Sequence, residues 1–198
     1  MYCRLKPKTK QPQRGKILGY KGTDLYKVDP SAYAQVYSIL KESVELEKAQ
    51  SKSAVFVYYF RAATKMAQKS ELDTAVVVDI YDQLSGYIDQ NIKYYTDKSN
   101  TKRKEEWLNI KGNIDNTFEP FAQCNDLVRV YQQKFDLDPN NVELLKKITA
   151  ILDKKKCVDA PLYFETCVNL HKLEPSPESA YLIGKMLLIQ KMNIGCPK

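Results

Sequence analysis

Two near-identical phrases, Leu137-Asp138-Pro139 and Leu173-Glu174-Pro175, recur 36 residues apart and constrain the C-terminal half more than any other feature. Proline lacks the N–H that a helix interior needs, and its ring collides with the preceding turn. Each phrase therefore ends one helix and turns the chain into the next. Between and beyond them run apolar residues at helical spacing. Val142, Leu145, Ile148, Thr149 and Leu152 form one stripe, and Leu162, Tyr163, Cys167, Leu170 and His171 form a second. Ala180, Ile183, Gly184 and Leu187 begin a third.

The same periodicity extends upstream. Asp29-Pro30 reads as a helix start, with Asp as N-cap and Pro at the first helical position. That helix is expected to reach about Glu47 and to bury Tyr33, Val36, Tyr37, Leu40 and Val44. Residues 54–69 are apolar nearly all round and too long for a buried strand. Ser70 and Asp73 resemble a capping box ahead of a third helix, and further helices carry Trp107, Ile110 and Ile114, then Leu127, Tyr131 and Phe135. About eight helices and no credible strand make the fold class all-α. Residues 1–28 are read as a basic, largely disordered segment, 29–191 as the helical domain and 192–198 as a disordered tail. Gly15, Gly19 and Gly22 lack the Lys-Ser/Thr pair of a phosphate loop and are read as a frayed helix-turn remnant.

The helix-turn-helix unit of about 34 residues, with small, large, Gly and large residues at 180, 183, 184 and 187, resembles a tetratricopeptide repeat. The phrases GKILGYKGTDLYKVDP, ILKESVEL, VELLKKITAILDKKKC and KLEPSPESAYLIGKML are similar to tetratricopeptide proteins of gut-dwelling Gram-negative anaerobes, over roughly residues 14–190. This resemblance implies a right-handed α-solenoid of antiparallel helix pairs. It also implies a non-enzymatic scaffold that holds a protein or peptide in the groove of its first helices, with no catalytic residues and no cofactor. In that register Glu143, Lys146, Ala150 and Asp153 face the groove, followed by Glu178, Tyr181, Lys185 and Leu188. Lys146, Tyr181 and Lys185 are then the residues suited to an acidic or C-terminal carboxylate ligand.

The register pairs the helix at 54–69 with the one that follows it, and leaves the helices at 29–47 and 177–190 without partners. Such ends imply a piece of a longer array. They should expose part of Val36, Ile39 and Leu40, and part of Leu182, Met186, Leu187 and Ile189, and so favour self-association. Family members usually begin with a signal peptide, which would place them in the periplasm or envelope. The start MYCRLKPKTKQPQ has charge but no apolar core, which as written implies the cytoplasm.

The net charge of +7 lies wholly in residues 1–28, which hold eight Lys or Arg and one acid; the remainder has 23 of each sign. Nucleic-acid proteins usually carry the basic face on the folded body. Weak polyanion binding through the basic segment, with Lys102, Arg103 and Lys104, is therefore the alternative function rather than the leading one. The single histidine, His171, stands one turn after Cys167, but structural zinc wants four tight ligands and no CxxC pair is present, so no metal is expected. Cys124 and Cys157, 33 residues apart, each precede a helix. Stacked repeats would put them at the same end of neighbouring helices, with alpha carbons within roughly 12 Å. A disulfide and two free thiols both fit that placement.

Overall fold

The computed structural model describes residues 11–194, with side chains over residues 13–188. Among the described residues all regular structure is helical, and the chain divides into two compact units between Phe121 and Ala122. The first holds α1 (Gln11–Val28), α2 (Tyr33–Glu47), α3 (Ser53–Gln68), α4 (Thr74–Asp97) and α5 (Thr101–Phe118), with short 3-10 turns at Lys48–Gln50 and Glu119–Phe121. The second holds α6 (Cys124–Leu137), α7 (Val142–Lys154), α8 (Pro161–Leu173) and α9 (Pro177–Ile194).

Helix α1 corrects the expectation that residues 1–28 lack regular structure, at least over residues 11–28. Its glycines are a packing surface rather than a frayed turn. A Cβ on Gly15 would stand 2.5 Å from Glu47 Cγ, and one on Gly22 would stand 2.6 Å from Leu40 Cγ. Only a bare backbone lets α1 lie this close to α2. Each glycine costs a helix up to about 1 kcal/mol in backbone entropy, which is why propensity alone argues against a helix here. Close packing with α2 and α3 offsets that cost. As a result Val36 and Leu40 are wholly buried, which overturns their expected exposure at an unpartnered end.

The Asp29-Pro30 start is also displaced. Asp29 Oδ1 accepts hydrogen bonds from the Ser31 N–H at 2.9 Å and the Ser31 hydroxyl, building a turn, and α2 begins only at Tyr33. The Ser31 hydroxyl, followed by its N–H, holds the Asp29 carboxyl below its usual range. Farther on, local chemistry again sets the helix starts, but the cap of α4 is Asp73 itself and not Ser70, three residues later than the expected capping box. Asp73 caps α4 by accepting from the Ala75 N–H at 2.8 Å, and Asn100 caps α5 by accepting from the Arg103 N–H at 3.1 Å. Helix α4 then makes its widest contact with α5 rather than with α3, the neighbour the repeat register assigned to it.

The first unit is centred on aromatic rings. Phe56 and Phe60 are fully buried on α3; Phe56 meets Trp107, and Phe60 meets both Tyr81 and Phe118. Tyr81 and Phe118 stack with centroids 3.8 Å apart. Tyr81 is half-buried and donates its hydroxyl to Asp115 Oδ1 at 2.9 Å, keeping a polar tip partnered. In the second unit Leu127 and Tyr131 of α6 are fully buried, as are Leu145, Ile148 and Leu152 of α7. Leu162 and Tyr163 of α8 are buried too, and α6 and α7 both contact α8. Helix α6 stops at Leu137 and α8 at Leu173, where the Leu-acid-Pro phrases required it. Helix α9 continues through Ile194, past the expected start of a tail; residues 195–198 lie outside the described residues.

Candidate functional site

The residues assigned to the groove separate into two kinds. On α9, Tyr181, Lys185 and Leu188 fall at i, i+4 and i+7 and share one solvent-facing stripe, Tyr181 at 68% and Leu188 at 65% exposure. Gly184 lies beside this stripe, with nothing within 4 Å of where its Cβ would be. Lys146 on α7 is exposed as well, but its ammonium is engaged: it pairs with Glu174 Oε2 at 2.6 Å, just past the end of α8. The hydrogen bond to Glu174 holds the Lys146 ammonium above its ordinary range. Its charge thus serves as a clamp between α7 and the turn after α8. Leu187 is exposed and Met186 is buried; the side chain of Ile189 lies outside the described residues.

Cys124 and Cys157 are joined by a disulfide with alpha carbons 5.5 Å apart. The bridge ties the first residue of α6 to the segment between α7 and α8. Cys167 is a free thiol in the core of this unit, and its burial, ahead of all other influences, pushes that thiol up. Tyr163 beside it donates to Asp153 at 3.1 Å and is likewise pushed up, mainly by burial. His171 does not meet Cys167 as a metal pair. Its Nδ1 lies 2.8 Å from the Ser179 hydroxyl at the start of α9, and no group of three or more potential ligands forms among the described residues.

Two cations of the basic N-terminal segment are spent within the fold. Arg14 pairs with Glu42 at 2.6 Å, and Lys27 lies 3.7 Å from Asp24. In the run at 102–104, Arg103 pairs with Glu106 at 2.7 Å. Arg14, Lys27 and Arg103 thus each have an acidic partner. The Lys and Arg residues before Gln11 lie outside the described residues.

Sequence reasoning missed one feature of the first unit, a cleft of about 810 Å³ between the α2–α3 connection, the C-terminal half of α4 and the start of α5. Ser51 and Lys52 line one side, Asn91 and Tyr94 a second, and Arg103 and Trp107 the third. Asn91 Nδ2 donates to Ala49 O at 2.8 Å and Tyr87 O at 2.9 Å, so the amide latches the connection to α4. Ser51 is only 2% exposed, yet its hydroxyl has no hydrogen-bond partner in the protein. Leaving a buried hydroxyl unpaired costs about 1–3 kcal/mol. Tyr94 is 56% exposed and set edge-on against Tyr95 at 5.1 Å. Ser51 and Asn91 are 40 residues apart and Arg103 follows Asn91 by 12, so no local pattern joins them. The available signal was the adjacent Tyr94-Tyr95 pair, two large rings at the polar end of an amphipathic helix.

Comparison with known proteins returns no match to any family model and none to a curated protein. Among the described residues, no helix is long and apolar enough to cross a membrane.

Proposed function

We propose that this chain is a non-enzymatic interaction scaffold of the tetratricopeptide type, a right-handed α-solenoid that takes a protein or peptide ligand on α9. The supporting observation is the exposed stripe of Tyr181, Lys185 and Leu188. An aromatic ring, a cation and an aliphatic side chain at i, i+4 and i+7 suit a peptide with an apolar residue beside a carboxylate. Lys185 supplies the charge for the ligand carboxylate, because Lys146 is already paired. The disulfide supports an oxidising compartment, such as the periplasm or envelope, as the place of action.

The test is a titration with an acidic peptide ending in a free carboxylate and with the same peptide amidated. The free acid binds more tightly, and Lys185→Glu removes the difference. Tyr181→Ala weakens both peptides by about tenfold, the loss of an aromatic anchor. Equal binding of the two peptides, or binding indifferent to Tyr181 and Lys185, overturns the assignment.

A further inference from the structure

We propose that the cleft between the α2–α3 connection, α4 and α5 is a binding site for a neutral saccharide, separate from the peptide surface on α9. Its charges come first. Arg103 Nη1 is bonded to Glu106 Oε2 at 2.7 Å, so guanidinium and carboxylate cancel within the wall. Lys52 turns away to Tyr20, bonding its hydroxyl and lying 4.0 Å from its ring centroid. The Arg103–Glu106 pair thus offers an anion no net charge, and the Lys52 ammonium, though still charged, is held on Tyr20. An apolar ligand would strip water from the amide, hydroxyl and ion-pair groups without replacing their hydrogen bonds. A neutral, polar ligand suits this paired wall best.

The unspent hydrogen-bonding capacity narrows the class. Both N–H groups of the Asn91 amide go to backbone carbonyls, which fixes its orientation and leaves Oδ1 as an acceptor. Arg103 uses one of its five donors on Glu106, and Glu106 keeps lone pairs in reserve. The Ser51 hydroxyl, almost fully buried in the cleft wall, has both its proton and its lone pairs unused. Donors and acceptors thus stand side by side. A vicinal diol answers such a wall, since each hydroxyl donates and accepts, and one neighbour can face the guanidinium while the other faces the carboxylate. At the lip, the exposed ring of Tyr94, held edge-on by Tyr95, offers a flat surface to the C–H face of a pyranose. The volume of about 810 Å³ lies within the usual range of small-molecule sites and admits several sugar rings.

The experiment records backbone and side-chain amide spectra of the isotope-labelled full chain. Maltotetraose, cellotetraose, xylotetraose and tetra-N-acetylchitotetraose are added in turn at millimolar concentration, and then a neutral Gly-Ser-Asn peptide. At least one tetrasaccharide shifts the Asn91 side-chain amide and the Trp107 indole signals saturably. Tyr94→Ala weakens that binding about tenfold. Ser51→Ala weakens it about fivefold without loss of stability, because the hydroxyl has no partner in the protein to lose. Tyr181→Ala leaves sugar binding unchanged, which separates this site from the peptide reading. No shift with any of the four sugars overturns the proposal. Shifts from the peptide alone overturn it too and assign the cleft to a peptide backbone instead. Affinity unmoved by both Tyr94→Ala and Ser51→Ala would place the sugar elsewhere.

Discussion

The Ser43 hydroxyl on α2 donates to the Gly15 carbonyl on α1 at 2.8 Å, deep in the seam between the two helices. A helical carbonyl already accepts an N–H from its own helix, so the hydroxyl uses the second lone pair. It can reach that oxygen only because α1 presents no side chain at this point. The bond pins the register of a helix whose own residues favour it weakly.

The tight seam makes glycine substitutions differ in sign. Gly22→Leu must push Leu40 aside in a filled core and should destabilise the protein by about 1–3 kcal/mol. Gly112 on α5 has nothing within 4 Å of its Cβ position, so Gly112→Ala should stabilise by about 0.5–1 kcal/mol. Urea denaturation of both variants is the measurement. A Gly22→Leu protein as stable as wild type would show that α1 does not pack where it is placed.

Helix ends and the all-α class were legible because they rest on short-range chemistry. Asp73 accepts a hydrogen bond two residues away, so a start near it was readable although the cap is Asp73 and not Ser70, and Pro139 and Pro175 forbid continuation wherever the rest of the chain lies. Helix α1 was not legible. Its glycines lower helix propensity, and their advantage exists only against Leu40, Ser43 and Glu47, which follow in the next helix. The Lys146–Glu174 pair was not legible for the same reason, since its members lie 28 residues apart. The cleft was not legible because Ser51, Asn91 and Arg103 share no sequence pattern.

Alkaline pH should unfold the protein through its buried rings. Burial is the leading cause that raises Tyr59, Tyr81 and Tyr163, and it raises the Cys167 thiol as well. A group that holds its proton more tightly when folded contributes stability that is intact below its unfolded value and is lost as pH rises above it. Those unfolded values are about 8.5 for a thiol and about 10 for a phenol. The denaturation midpoint is therefore flat with respect to these groups through neutral pH and falls from about pH 9 upward. Tyr81→Phe should lessen the fall relative to its own value at neutral pH. An identical slope in wild type and Tyr81→Phe would remove that residue from the account.

The disulfide should carry much of the stability of the second unit. Closing a loop with a sequence separation of 33 removes enough unfolded-chain entropy to contribute about 3–4 kcal/mol. Cys124→Ser, or reduction of the native bond, should lower the urea midpoint accordingly, and hydrogen exchange should accelerate first in α6, which the bridge holds at its first residue. Thiol alkylation of the unfolded, unreduced chain, read by mass, should leave Cys124 and Cys157 unlabelled. Labelling of both would show free thiols, and a midpoint indifferent to reductant would show that the bond constrains nothing.

The start of α9 depends on a reciprocal pair of serines. Ser176 Oγ accepts from the Ser179 N–H at 3.1 Å, and Ser179 Oγ accepts from the Ser176 N–H at 3.2 Å, the arrangement of a capping box with serine in place of Glu. Ser179 is nearly buried, and His171 Nδ1 lies 2.8 Å from the same hydroxyl, linking the last turn of α8 to the first of α9. One hydroxyl proton cannot serve both the Ser176 carbonyl, 3.0 Å away, and an acceptor nitrogen on His171. If Ser179 gives its proton to the carbonyl, His171 must carry its own proton on Nδ1 and donate it. Ser179→Ala thus strands the Ser176 N–H and the imidazole together, at a cost of about 1–2 kcal/mol. Ser176→Ala costs a similar amount, but the double variant costs less than the sum, because the two bonds belong to one motif. The thermodynamic cycle measured by urea denaturation checks this, and the His171 ring nitrogen shifts in Ser179→Ala give an independent view of the lost contact. Strict additivity, with unmoved His171 signals, would mean that the serines act separately and that α9 does not start on this node.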